Sequence, residues 1–235
     1  MFRKLFLSSA CVLVVSACAS AGGGAGAPSA APGINDRYKT EDGRATTLKI
    51  LEGEGREKYQ RPDEVIRHLN LKAGDVVCEV GAGSGYFTPF LSKAVGSSGK
   101  VFAEDPQPEF LDVLRRKKMS QGLSNVEIVR GTYTDTKLPD GVCDVTFVLD
   151  TYHHFEWPTP MLEAMRRDTK RGGRLVVVDF YRRQNEFFDA WGIDAMKHLR
   201  LDLDGVVDEI EAHGWNHLET QTFLPLQYFA VFTVR

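Results

Sequence analysis

The chain has 235 residues, of which 43% are hydrophobic and 26% charged, and its formal net charge at pH 7 is −3. This length suits one sizeable α/β core, and the composition is ordinary for a folded globular protein. The slightly acidic balance excludes the strongly basic surface with which most nucleic-acid-binding proteins hold phosphates. We therefore expect no nucleic-acid partner.

The first residues have the pattern of an export signal. Arg3 and Lys4 precede an apolar run that extends to about Ala17, and this run is too short to span a bilayer as a mature helix. Residues Val15–Cys18 resemble the lipobox of bacterial lipoproteins. The resemblance implies that Cys18 is acylated, and Ala19 after it favours the outer membrane. An ordinary signal peptide, giving a soluble periplasmic protein, and a start codon placed too early are the alternatives.

The residues after this signal divide into a linker and a domain. Residues 19–33 are Ala, Gly, Pro and Ser with little else and carry no charge, so they have little to bury. We predict a signal peptide over 1–17, a lipid-anchored flexible linker over 18–36 and one domain over 37–235. The lipid would be an anchor and the only contact with the membrane.

Two cysteines, Cys78 and Cys143, remain in the predicted domain. Cys78 lies in the middle of the first predicted strand, and Cys143 lies just before the fourth. If these strands are parallel neighbours that start at the same level, the cysteines are staggered by roughly three residues, or about 10 Å along the sheet. This exceeds the reach of a disulfide, so we expect two free thiols.

The domain alternates helix-like and strand-like segments, which is typical of a parallel α/β sheet. Helices are predicted over Arg44–Glu52, Pro62–Leu69, Ser84–Val95, Pro108–Ser120, Pro160–Thr169 and Leu201–His213. Strands are predicted over Asp75–Val80, Lys100–Glu104, Val126–Val129, Asp144–Leu149 and Arg174–Phe180. Two last runs, His217–Phe223 and Gln227–Val234, are separated by Leu224 and Pro225 and predict an antiparallel hairpin.

A glycine-rich loop joins the first strand to the next helix. Residues 79–86 read Glu-Val-Gly-Ala-Gly-Ser-Gly-Tyr. Glycines let the backbone turn tightly and approach a ligand, and the N-terminus of the following helix favours a carboxylate or phosphate. The alternative is a tight turn that binds nothing.

Two features narrow the choice of ligand. The second strand ends at Glu104 and Asp105, where an acidic side chain can accept both hydroxyls of a ribose. Dinucleotide-binding loops need a small residue where this chain has Tyr86. The spacing is therefore G-x-G-x-G, which disfavours a nicotinamide-dependent oxidoreductase.

The loop Glu79-x-Gly81-x-Gly83-x-Gly85 resembles motif I of class I methyltransferases that depend on S-adenosylmethionine (SAM). Residues 99–105, 144–154 and 170–175 also resemble the ubiquinone/menaquinone-biosynthesis type of this domain. The resemblance implies an α/β, Rossmann-like fold with a seven-stranded, mostly parallel sheet of order 3-2-1-4-5-7-6. Strand 7 would be antiparallel, and helices would cover both faces. It also implies SAM as cofactor and a methyltransferase activity.

The resemblance further implies the residues that bind the cofactor. The glycines would pass under SAM, Glu79 would hold its amino group, and Asp105 would bind its ribose hydroxyls. Thr132 and Tyr133 stand where such proteins often place an acidic residue near adenine, and Tyr133 is a candidate to stack on the base. The full set is Glu79, Gly81, Gly83, Gly85, Asp105, Thr132, Tyr133, Leu149 and Asp150.

Candidate catalytic residues follow the fourth strand: Asp150, His153 and His154. Methyl transfer needs a base only when the acceptor must lose a proton, and histidine titrates near neutral pH. Packing of the loop is the alternative role for both histidines. Adjacent histidines, even with Glu156 near them, lack clear metal-ligand spacing, so we predict no metal site. Phe187, Phe188 and Trp191, in the segment after the fifth strand, either line an apolar acceptor pocket or only pack.

Two functions from different classes remain. The first is a methyltransferase that acts on an unidentified, small-molecule acceptor. The alternative is an exported protein that binds SAM or a nucleotide without turnover, because SAM is made in the cytoplasm. The intact glycine loop and Asp105 favour the enzyme.

Overall fold

The computed structural model describes residues 28–235, so the predicted signal peptide, Cys18 and the first part of the linker lie outside the described residues. The seven strands are β1 Val76–Val80, β2 Lys100–Asp105, β3 Val126–Arg130, β4 Cys143–Leu149, β5 Thr169–Phe180, β6 Trp215–Gln221 and β7 Gln227–Val234. They form one sheet of order β3-β2-β1-β4-β5-β7-β6, in which β7 runs antiparallel to both neighbours. This confirms the predicted α/β Rossmann-like fold.

The helices flank the sheet. Their bounds are α1 Glu41–Leu51, α2 Arg56–Gln60, α3 Pro62–Leu69, α4 Thr88–Val95, α5 Pro108–Gln121, α6 Pro158–Asp168, α7 Glu186–Ala190, α8 Ala195–His198 and α9 Leu203–Ala212. Short 3-10 turns cover Asp36–Lys39 and Tyr152–His154. No helix within residues 28–235 is long and apolar enough to cross a membrane.

Helix α4 begins later than predicted, at Thr88 and not at Ser84. The glycines of the loop before it have φ values of +74° at Gly81, +57° at Gly83 and +77° at Gly85. This left-handed backbone is incompatible with an α-helix, so the helix starts only after the last of them. The loop between β1 and α4 is therefore longer than the periodicity indicated.

The two faces of the sheet carry separate apolar cores, because side chains alternate along each strand. On β1, Cys78 and Val80 pack in one core with Trp215 of β6, and Val77 packs in the other with Leu91 of α4. Both layers are well buried. The carboxyl ends of the parallel strands are consequently fixed along one edge of the sheet.

The expectation of two free thiols is wrong, because Cys78 and Cys143 form a disulfide with 5.7 Å between their Cα atoms. The predicted register of the strands themselves is correct: Cys78 of β1 is level with Thr146 of β4. The pairing of β4 with β5, however, shifts register between Cys143 and Val145. Cys143 lies two residues before Val145, the first residue of β4 that pairs with β1, so the regular stagger of the paired strands does not fix its position.

Candidate functional site

A cavity lies at the carboxyl edge of the sheet, where parallel α/β folds bind their ligands. Each parallel strand contributes to its wall just where that strand ends. The contributing residues are Gly81 and Gly83 after β1, Glu104 and Asp105 at the end of β2, Thr132 and Tyr133 after β3, Asp150 and Thr151 after β4, and Phe180 at the end of β5. The structure thus brings most of the predicted site residues together.

The glycine loop is tied to the neighbouring strands. Gly83 N–H donates to Asp105 Oδ2 at 2.9 Å, and the hydroxyl of Thr151 donates to the carbonyl of Gly81 at 3.2 Å. A Cβ atom on Gly81 would lie 2.2 Å from Thr151 Cγ2. Glycine is therefore required at position 81 both by backbone conformation and by the approach of the β4 loop.

Two carboxyl groups stand side by side at the end of β2. Asp105 Oδ1 accepts the N–H of Gln107 at 2.7 Å, and burial raises the pKa of Asp105 to about 6 against the lowering effect of its backbone hydrogen bonds. Burial and the neighbouring Asp105 also raise the pKa of Glu104 well above its ordinary value. Among the described residues, no group donates to Glu104 Oε1, although it is buried.

This arrangement fits SAM. A buried acceptor without a partner is costly unless a ligand supplies a donor, and the amino groups and ribose hydroxyls of SAM are donors. Glu104 and Asp105 line the cavity with carboxyl acceptors at one strand end, and the glycine loop offers a surface free of side chains beside them.

Three predicted cofactor residues do not line the cavity. Glu79 is buried and accepts a hydrogen bond from the hydroxyl of Thr88 at 2.6 Å. Gly85 lies against α5, where a Cβ atom would meet Leu114 at 2.2 Å. Leu149 packs against one of the two cores. These three residues therefore contact the interior of the protein and not the cavity.

Asp150 is held in place from several sides. The side-chain amides of Gln60 and Gln227 donate to its two carboxylate oxygens, and Arg56 Nη2 lies 3.9 Å from Oδ2. Burial, and then the nearby Asp179, raise the pKa of Asp150 to about 7. Its φ of +51° is unusual for a non-glycine residue and directs the chain sharply into the next loop.

His153 and His154 face the same cavity with different partners. His153 Nδ1 lies 2.8 Å from Asp179 Oδ1, and burial, which lowers the pKa of His153, is outweighed by this carboxylate, so the pKa is raised. His154 Nδ1 lies 3.1 Å from Asn35 Oδ1. Burial lowers the pKa of His154 well below its ordinary value.

An aromatic wall closes this end of the cavity. Phe187 stacks on Phe180 with ring centroids 4.9 Å apart, and Tyr59 contacts Phe187 at 5.4 Å. Phe188 also lines the cavity. The predicted aromatic Trp191 does not line it and is 42% exposed. Phe187 and Phe188 are thus lining residues, and this chamber would accept an apolar or aromatic group.

Sequence reasoning missed several lining residues, because they come from segments without a motif. They lie in the chain before β1, in the turn after β2 and in short helices too brief for a periodic pattern: Asn35, Tyr38, Thr47, Arg56, Gln107 and His198. The last residues of the predicted linker also contact the domain, since Asn35 Nδ2 donates to the carbonyl of His154 at 3.0 Å.

Comparisons with known proteins agree with this architecture. Residues 78–177 match a family model described as a methyltransferase domain. The ubiquinone/menaquinone biosynthesis C-methyltransferase UbiE of Marinomonas sp. is 30% identical over 122 residues, which cover 52% of this chain and 49% of that protein. A demethylmenaquinone methyltransferase of Oceanobacillus iheyensis is 28% identical over 124 residues, covering 53% and 52%. The chain thus aligns with about half the length of these curated relatives.

A solved structure gives fuller coverage. The crystal structure of a SAM-dependent methyltransferase from Aquifex aeolicus superposes with a TM-score of 0.75 and 26% identity, covering 81% of this chain and 98% of that one. The fold agrees with that of this solved structure. The chain therefore has the fold of a class I SAM-dependent methyltransferase, matches a methyltransferase domain over residues 78–177, and is distantly similar to the ubiquinone and menaquinone C-methyltransferases.

Proposed function

We propose that the protein transfers the methyl group of SAM to a small-molecule acceptor. One observation carries the proposal: a single cavity joins the glycine loop and Asp105 to a chamber walled by Phe180 and Phe187. The first end suits the cofactor, and the aromatic side chains make the second end apolar enough to receive part of another molecule. An acceptor held there would share one enclosed space with the methyl donor.

The residues of the chain would act mainly by binding and orienting. SAM, when bound, supplies an activated methyl group on a sulfonium. Asp105, with Glu104 beside it, accepts hydrogen bonds from the cofactor, and Thr132 and Tyr133 flank its base. Phe180 and Phe187 exclude water from the acceptor. Alignment of two reactants in such a space can remove roughly 7–11 kcal/mol from a barrier.

Asp150, His153 and His154 are the groups that would position the acceptor. All three line the cavity between the glycine loop and the aromatic wall. Asp150 is fixed by Gln60 and Gln227, and His153 is fixed by Asp179. Such prior fixation lowers the cost of ordering these groups when the acceptor binds.

Binding and turnover can be tested separately. Titration calorimetry of the full chain with SAM, S-adenosylhomocysteine and NAD should show binding of the first two and not of NAD. Incubation with methyl-labelled SAM and a fractionated cell extract should transfer label to a small molecule. Absence of SAM binding would overturn the proposal, whereas binding with no labelled product from any fraction would favour the alternative, an exported SAM- or nucleotide-binding protein.

The affinity for SAM should depend on pH through Asp105. The ionised carboxylate accepts donors better than the acid, and burial raises its pKa to about 6. Affinity should therefore fall about tenfold as the pH is lowered from 7.5 to 5, because about one site in ten remains ionised. Calorimetry across this range measures the change.

Other groups titrate close to Asp105 and must be separated from it. Burial raises the pKa of Glu79 to about 7. Burial, and then the charge of Asp105, also raise the pKa values of Glu104, Tyr38 and Tyr133. Asp105→Asn should weaken SAM binding at pH 7.5 and remove the pH step. Glu127→Gln, an exposed change at β3 outside the cavity lining, should keep both the affinity and the step. A step that survives in Asp105→Asn would assign it to another group.

We further propose that the protein is exported and anchored through Cys18 as a lipoprotein, with the outer membrane favoured and a soluble periplasmic protein as the alternative. The lipobox at Val15–Cys18 supports this, and so does the disulfide, since disulfides persist mainly in oxidising compartments. Mass spectrometry of the mature N-terminus is the test. An unacylated chain that begins elsewhere than Cys18 would overturn the anchor.

A further inference from the structure

Three histidines converge in the cavity next to the aromatic wall. His153 and His154 come from the loop after β4, and His198 is the last residue of α8. One nitrogen atom from each imidazole lies within 4.8 Å of the other two. The ring centroids of His153 and His198 are 4.9 Å apart. The adjacent pair alone lacked metal-ligand spacing, and the fold supplies the third ring.

Two of the rings are already oriented through Nδ1. Asp179 Oδ1 can only accept from His153 Nδ1, at 2.8 Å, when the carboxylate is ionised. The side chain of Asn35 donates through Nδ2 to the carbonyl of His154, so its Oδ1 accepts from His154 Nδ1 at 3.1 Å. In the neutral form of each ring, Nδ1 therefore carries the hydrogen and Nε2 keeps its lone pair.

This arrangement is the one that histidine ligands require. Metal-binding imidazoles usually donate their second nitrogen to a carboxylate or another oxygen, which fixes the tautomer and the direction of the free lone pair. Asp179 does this for His153, and Asn35 does it for His154. His198 is positioned through its backbone, because Arg182 donates to the carbonyls of Leu199 at 2.6 Å and Met196 at 2.8 Å.

We propose that His153, His154 and His198 bind one divalent transition metal ion of the zinc type. Imidazole suits zinc, copper, iron and nickel, and three protein ligands leave a coordination position open. With Zn–N bonds of about 2.0–2.1 Å, tetrahedral geometry needs ligand nitrogens about 3.4 Å apart, so the rings close by at most about 1.4 Å on binding.

The open position would face the cavity, which all three histidines line together with Asp150 and Phe187. Water or an oxygen atom of the methyl acceptor would fill it. This last point rests on the proposed methyl transfer, and it names an oxygen-bearing acceptor as the substrate class. The metal site itself does not depend on the presence of SAM.

Tyr38 provides a specific check on this geometry. Its hydroxyl lies 3.3 Å from His154 Nε2 and can donate to the lone pair that the metal would use. Binding of the ion must displace this hydrogen bond. Tyr38→Phe removes the competitor without removing a ligand, so it should leave zinc affinity unchanged or increase it.

The test is calorimetric titration of the chelator-treated full chain with zinc chloride, without SAM. We expect one ion per chain, at least tenfold weaker binding in His198→Gln, and a visible absorption band of tetrahedral cobalt when Co²⁺ replaces zinc. His217→Gln is the matched control, because His217 lies on β6 outside the cavity and bonds Thr220. It should bind like the wild type.

Equal zinc affinity in wild type and His198→Gln, or no zinc binding by the wild type, would overturn the metal site. Calorimetry with SAM on the same samples separates this outcome from failure of the proposed function. Zinc binding without SAM binding would leave the metal site standing and remove the methyltransferase proposal. SAM binding without zinc binding would remove the metal site and leave the methyltransferase proposal standing.

Discussion

Reduction of the Cys78–Cys143 disulfide is expected to lower the free energy of unfolding by about 2–4 kcal/mol. The bond joins residues separated by 65 positions, and closing a loop of that size in the unfolded chain accounts for roughly 4 kcal/mol in the chain-entropy model. For a domain of this size the melting temperature should fall by roughly 5–15 °C. Differential scanning calorimetry with and without reductant measures the effect.

The control is a chain that cannot form the bond. Cys78→Ala/Cys143→Ala should melt at the lower temperature whether or not reductant is present, because residues 28–235 then contain no cysteine. A wild-type melting temperature that reductant leaves unchanged, in a protein shown by mass spectrometry to be reduced, would contradict the stabilising role. Both cysteines are fully buried, so reduction must be checked directly.

Gly81→Ala should abolish SAM binding at the concentrations that saturate the wild type. The backbone at Gly81 has a φ of +74°, which costs an alanine roughly 1–2 kcal/mol. The added Cβ atom would also lie 2.2 Å from Thr151 Cγ2, so the glycine loop or the loop after β4 must move. Because both loops line the cavity, we expect at least a hundredfold loss of affinity by calorimetry.

Gly122→Ala is the matched control for this substitution. Gly122 ends α5 with a φ of +63°, and a Cβ atom there would meet nothing within 4 Å. This variant carries the same backbone cost without the collision and away from the cavity. It should lose about 1–2 kcal/mol of stability and keep its SAM affinity. Similar SAM affinities in the two variants would show that the contact with Thr151 is not required.

The sequence was sufficient to predict the sheet and the loop that meets the cofactor end of the cavity. Strand order and the antiparallel β7 followed from a family resemblance carried by several motifs in order, and the structure agrees. Gly81, Gly83, Asp105 and Asp150 were predictable because each lies at or just after a strand end, where the loops of parallel strands converge. Local pattern and chain order determine such positions.

What the sequence could not provide depends on distant contacts. The disulfide depends on the position of Cys143, which precedes the first residue of β4 that pairs with β1, and no residue type indicates that position. His198 joins the other two histidines through α8, a helix of four residues without periodicity. Glu79 matched the family motif, and its Oε2 accepts a hydrogen bond from Thr88 behind the residues that line the cavity. In each case a tertiary contact, and not the local pattern, decides the role.

The contact between Ala30 and the domain sets the greatest distance at which an anchored protein could stand from the membrane. Ala30 N–H donates to the carbonyl of Glu156 at 2.7 Å, and Glu156 follows closely on His153 and His154. Ala30 is twelve residues beyond Cys18, which is a reach of about 40 Å when fully extended. If Cys18 carries the proposed lipid, Ala30 and the Glu156 carbonyl it contacts stay within about that distance of the bilayer surface. Molecules that partition into or gather at the membrane would then be its nearest source of acceptors.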